Sequence, residues 1–177
     1  MSRNFISIRV KYLLSSLAIV AALILYASTY AEPVLRVSLM PDESPSMLRR
    51  KLKPLTDYLE KKIGMKVEFR PVSNGDALVE ALIRHQLDIV WIDSDYLRRA
   101  KARSNDQIIP LVQREIDEKL PGYRDYFWAV SAAMNVDLRE KLTDALLALN
   151  MNNAQHKEIL SLQRVNRYIP VRTENNH

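Results

Sequence analysis

The chain has 177 residues, 26 lysines and arginines against 21 acidic residues, and no cysteine. The missing cysteines exclude disulfides, thiolate metal sites and a lipid-modified cysteine anchor. The formal charge of +5 is unevenly placed: residues 1–31 hold Arg3, Arg9 and Lys11 and no acid, which leaves 23 basic against 21 acidic residues, or +2, over 32–177. That balance carries no basic signature for nucleic acid, and 146 residues suffice for one α/β domain but not for two.

Residues 1–31 have the layout of a secretory signal peptide: a basic start, an apolar run over residues 12–27, and the small Ala31 before Glu32. The run spans 16 positions, short of the roughly 20 that a membrane helix needs. Export with cleavage is the expectation, and an uncleaved membrane anchor is its rival. The domain proper is then residues 32–177.

Residues 34–40 are β-prone and are broken by Pro41-Asp42-Glu43-Ser44-Pro45. Ser44 suits an N-cap, and Pro45 suits the first helical position, where its missing N–H costs nothing. Leu48, Leu52, Leu55, Leu59 and Ile63 then form one apolar stripe on a helix that Gly64 ends in a left-handed conformation. Pro54 inside it predicts a bend. Val67, Phe69 and Val72 mark a second strand from Lys66, Ser73-Asn74-Gly75 a turn, and residues 76–84 a helix. The third strand, residues 87–92, is almost continuously apolar, as in a strand buried on both faces, and a helix follows Asp93-Ser94-Asp95 to about Arg103. This alternation predicts a parallel sheet covered on both sides. Ligands in such sheets bind at the strands' carboxyl ends, which puts residues 41–46, 73–76 and 93–96 on one rim.

Further on, residues 108–112 read as a strand whose Pro110 argues for an edge or strand-end position. Leu120-Pro121-Gly122-Tyr123 reads as a joint and residues 125–131 as the last strand. Residues 137–149 form a helix with Leu138, Leu142, Leu146 and Leu149 on one face, and a second helix over about 154–164 precedes a Tyr168-Ile169-Pro170 tail.

Each candidate residue has a plain reading beside the functional one. Ser44, Ser73 and Ser94 each precede a helix, where a hydroxyl and free N–H groups could hold a tetrahedral anion or simply cap. Trp91 and Tyr96 suit a pocket wall or a core. Asp42 and Glu43 suit an acid–base pair or solvated loop acids. Asp93-Ser94-Asp95 after a strand suits the strand-end aspartates of metal-dependent phosphotransferases and glycosyltransferases, or a capped helix start. His85, His156 and His177 lie too far apart to share a metal by local spacing, and no glycine-rich phosphate loop exists. Arg49, Arg50, Lys51 and Lys53, the densest basic run, read as a solvated helix face, with anionic lipid or a partner as the other reading.

Several segments, in order, resemble the substrate-binding proteins of phosphonate-type ABC importers, a group covering phosphate, phosphite and phosphonate with a branch labelled selenate. They are Leu35-Arg36-Val37 through Pro45, Lys53-Pro54-Leu55 with Tyr58-Leu59-Glu60, Gly64 to Glu68, Leu78-Val79-Glu80-Ala81-Leu82, and Gln86-Leu87-Asp88. Pro110 to Glu115, Leu138 to Leu142, Leu162-Gln163-Arg164 and Tyr168-Ile169-Pro170 continue the series. The resemblance implies one lobe of a type II periplasmic binding protein: an α/β fold with a mostly parallel sheet flanked by helices. It implies a periplasmic protein without cofactor or catalysis, a small oxyanion as ligand and a membrane permease as partner. Asp42, Glu43, Ser44, Ser73, Asn74, Asp93, Ser94 and Tyr96 become its ligand-binding candidates.

The chain departs from that family in two ways. Family members close two lobes on the ligand, whereas here residues 32–118 pass through a junction at 119–125 to a returning segment at 126–177, so a second lobe of on the order of 100 residues is missing. A homodimer could supply the second wall. The rim also carries Ser73-Asn74-Gly75 where the family tends to a Thr-Asp-Tyr-type turn, and Asp93 and Asp95 where it tends to a glycine-containing one. Two carboxylates there oppose an anion that a helix N-terminus attracts by only about 1–2 kcal/mol. An exported interaction or sensory domain, or a vestigial product without ligand binding, is the alternative.

Overall fold

The computed structural model describes residues 33–115 and 125–172; the signal-peptide reading and the Leu120–Tyr123 joint fall outside them. The chain runs β1 (Val34–Leu39), α1 (Pro45–Ile63), β2 (Lys66–Phe69), α2 (Gly75–Ile83), β3 (Ile89–Asp93), α3 (Ser94–Arg103), β4 (Ile108–Arg114), β5 (Tyr126–Ser131), α4 (Val136–Leu147), α5 (Ala154–Leu162) and β6 (Tyr168–Pro170). The strand–helix alternation expected for residues 34–103 is present throughout.

The strands form a six-stranded sheet in the order β2-β1-β3-β5-β4-β6. β1 lies parallel to β2 and β3, β5 runs antiparallel between β3 and β4, and β6 is antiparallel to β4. Four of the six strands therefore share one direction, and the fold is the expected α/β lobe. The Tyr168-Ile169-Pro170 tail is corrected to a sixth strand, paired with Val112, Gln113 and Arg114. It is too short to show a period of its own and is recruited by the end of β4. Pro110 sits before that pairing begins, beside a register shift between Pro110 and Val112, where a missing N–H is tolerated.

α1 begins and ends as its sequence dictates: Ser44 is its N-cap, and Gly64 closes it at φ 72°. It runs unbroken through Pro54. Its leucine stripe packs with α4 and α5 on one face of the sheet, and α2 and α3 cover the other. β3 shows the partition directly. Ile89 and Trp91 enter the first core, Val90 and Ile92 the second, as a two-residue period requires.

Candidate functional site

The carboxyl ends of β1 to β4 and the starts of β5 and β6 meet at one edge of the sheet. On the α1 side of that edge lies a pocket of about 200 Å³. Leu39, Leu48, Trp91 and Tyr126 give it apolar walls; Asp42, Glu43, Lys51, Arg114, Gln163 and Arg164 bring polar groups to it. Three cationic side chains thus face two carboxylates.

Its walls are set by long-range packing. Trp91 stacks on Tyr126 with ring centres 5.5 Å apart, lies 5.2 Å from Trp128 and meets Tyr168 edge-on at 5.6 Å. Arg114 places its guanidinium carbon 4.6 Å from the centre of the Tyr126 ring, a cation–π arrangement that leaves the guanidinium at the pocket. Lys51 is paired with Glu43. The Tyr168 hydroxyl donates to Gln163 Oε1 at 2.8 Å. Burial pushes the Tyr168 phenol well above its usual range, and the Trp128 indole N–H, facing its hydroxyl without a well-formed hydrogen bond, offsets a little of that rise. Glu43 Oε2 and Gln163 Nε2 are both buried without a hydrogen-bond partner.

The eight candidate residues do not form one cluster. Asp42 and Glu43 line the pocket, and Ser44 caps α1 beside them, its Oγ 3.4 Å from the Met47 N–H. The other five lie at the starts of α2 and α3 and do not line it. The caps there are Asn74, accepting from Ala77 N at 2.8 Å, and Asp93, accepting from Tyr96 N at 2.9 Å. Ser73 precedes its cap and Ser94 is already the first helical residue, which corrects the expectation that these serines cap. Asx side chains next to them reach the N3 amide in extended backbone and take the role. Asp93 is only 2% exposed, so it is a built-in carboxylate of the helix start rather than a solvated rim acid. The Tyr96 ring lies on Gly75 and under the Arg99 guanidinium, at 4.9 Å. Among the described residues, no three His, Cys, Asp or Glu side chains are grouped to hold a metal ion.

Sequence reasoning placed Lys51 in a solvated basic run and did not single out Arg114, Tyr126, Gln163 or Arg164. A signal for Lys51 was present. At about 100° per residue Arg49 and Lys51 flank the leucine stripe, whereas Arg50 and Lys53 point away from it. The others reach the pocket through strand pairing, such as Arg114 opposite Tyr168, which no local pattern encodes.

Residues 37–129, from β1 to within β5, match the family model of the ABC transporter, phosphonate, periplasmic substrate-binding protein, and the chain belongs to that family. The fold agrees. PhnD1 from Prochlorococcus marinus, solved in complex with methylphosphonate, superposes with a TM-score of 0.71 at 15% identity, over 80% of this chain and 93% of that one. A binding protein component of an ABC phosphonate transporter from Pseudomonas aeruginosa gives 0.67 at 10% identity, over 79% and 82%. A Xanthomonas citri protein bound to a chloride ion gives 0.65 at 12% identity, over 78% and 92%. The family's proteins are periplasmic solute-binding components that serve an ABC transporter. No helix of the described residues is long and apolar enough to cross a membrane.

Proposed function

We propose that this chain captures a small phosphonate- or phosphate-like oxyanion as a single exported lobe and delivers it to an ABC permease, without catalysing a reaction. The observation that carries this reading is the pocket at the strand ends, where Lys51, Arg114 and Arg164 converge beside the start of α1 in a member of the phosphonate-binding family. Cationic side chains in a recess, with a helix N-terminus near by, favour an oxyanion over a neutral or cationic solute. In this reading Asp42 and Glu43 are binding residues together with the three cations. Asn74, Asp93, Ser94 and Tyr96 shape the neighbouring rim. Residues 1–31 export the chain, and a second copy supplies the wall that one lobe lacks.

One observation favours the other reading, a non-transporting interaction domain: the starts of α2 and α3 are already filled by their own Asn74 and Asp93 side chains. Thermal unfolding of the full chain with methylphosphonate, phosphite, phosphate, sulfate and selenate separates the two. At 100 times its dissociation constant a ligand adds about 2.7 kcal/mol, a rise of several degrees for a chain of this size. A rise with one anion supports capture and names the solute. A cooperative melt that no anion moves leaves the interaction domain standing.

A further inference from the structure

Two atoms of the pocket lining, Glu43 Oε2 and Gln163 Nε2, differ in kind. Glu43 Oε2 is buried without a partner and, in the carboxylate, can only accept; Gln163 Nε2 is buried without a partner and can only donate. Both side chains are held. Lys51 occupies the other oxygen of Glu43, and Tyr168 occupies the carbonyl oxygen of Gln163 at 2.8 Å. An amide can be turned end for end, so the direction of that second contact matters. The Tyr168 hydroxyl donates to Gln163 Oε1 at 2.8 Å, which commits the amide oxygen to Tyr168. The NH₂ of Gln163, a residue that lines the pocket, is thereby left without a partner.

One acceptor and one donor, both fixed and both unmet, describe a ligand that gives one hydrogen bond and takes another. Resting on the reading of this pocket as the oxyanion site, we propose that Glu43 and Gln163 select a tetrahedral oxyanion that still carries a proton, a P–OH acid. Its hydroxyl donates to Glu43 Oε2, a bare oxygen accepts from Gln163 Nε2, and Lys51, Arg114 and Arg164 balance the remaining charge. Phosphoryl groups suit this, because a phosphate monoester keeps its second proton to a pH of about 6 and a fraction of it above. Sulfate and selenate at neutral pH have only acceptor oxygens. One of those oxygens against Glu43 Oε2 is a repulsion with no hydrogen between the two atoms.

The test is calorimetric titration of the full chain with methylphosphonate and with sulfate at one ionic strength. The same titrations of Glu43→Gln and Gln163→Ala follow, with circular dichroism and the melting temperature recorded for each. The parent should favour methylphosphonate over sulfate by about tenfold or more, the size of one hydrogen bond to a charged group. Glu43→Gln replaces the obligate acceptor by an amide that can donate, so it should gain sulfate binding and lose the preference. Gln163→Ala should weaken methylphosphonate by about tenfold with its melting temperature kept. Equal affinity for the two anions in the parent, or an unchanged preference in a folded Glu43→Gln, overturns this assignment and leaves the oxyanion reading intact. If neither anion titrates, that reading falls and the assignment with it.

Discussion

The two sides of the carboxyl rim start from one plan, a helix N-terminus at the end of a strand, and finish differently. On the α2–α3 side each helix start is filled by a short side chain of its own, Asn74 or Asp93. Tyr96 lies flat on Gly75, and Asp76–Arg99 at 3.0 Å and Glu80–Arg103 join the two helices. On the α1 side the cap is looser, with Ser44 Oγ 3.4 Å from the Met47 N–H, and the loop before it leaves a recess lined by charges and by the unmet Glu43 Oε2 and Gln163 Nε2. The first arrangement spends its polar groups on the fold. The second holds some back, and unmet buried groups are what a ligand can satisfy.

The sharpest way to break the comparison is to force the sealed side open. A Cβ on Gly75 would lie 2.4–2.8 Å from three ring carbons of Tyr96, so the ring must shift to admit it. Gly75→Val should cost about 1–3 kcal/mol by overpacking, several degrees of melting temperature. Adding Tyr96→Ala should recover much of that loss, giving a large coupling energy in a double-mutant cycle. Methylphosphonate affinity of the folded protein should not change, since neither residue lines the pocket. A Gly75→Val protein as stable as the parent would show that this side is not closed by that contact.

A smaller effect sharpens the contrast between caps. Asp93→Ala removes a 2% exposed carboxylate from a helix start and should cost about 1 kcal/mol in urea unfolding, with the m-value unchanged. Ser44→Ala removes a longer hydrogen bond from an exposed cap and should cost less than half of that. Equal losses would mean that the two rims are capped alike.

How far these differences could be read beforehand depends on their range in sequence. The units over residues 34–103 follow from local signals: the stripe Leu48-Leu52-Leu55-Leu59, the Ser44 and Gly64 boundaries, and the apolar Ile89–Ile92 run. Whether Ser73 or Asn74 caps α2 is decided by one residue of register, and several nearby side chains can do it. The pocket was half legible. Asp42 and Glu43 fall at a strand end, where the fold places ligands. Arg114 is brought there by β4, next to a register shift, and Gln163 and Arg164 come after α5. Strand-end placement is a property of one segment, whereas a cationic cluster drawn from three is a property of the topology.

The smallest effect concerns the bridges that hold α2 and α3 together. Glu80 reaches Arg84 on its own helix and Arg103 on α3. The hydrogen bond from Arg84, with added attraction from Arg84 and Arg103, holds the Glu80 carboxyl below its usual pKa of 4.5. A carboxyl depressed in the folded state stabilises the fold above its unfolded pKa, and that contribution is lost as pH falls through the folded value. Glu80→Gln should therefore lower the melting temperature slightly at pH 7. The gap from the parent should narrow below about pH 4.5 and vanish once the parent's carboxyl is protonated as well. Because the group is exposed, raising the salt concentration at pH 7 should shrink the same gap. A difference that persists unchanged into strong acid would assign the role of Glu80 to packing between the helices instead of charge.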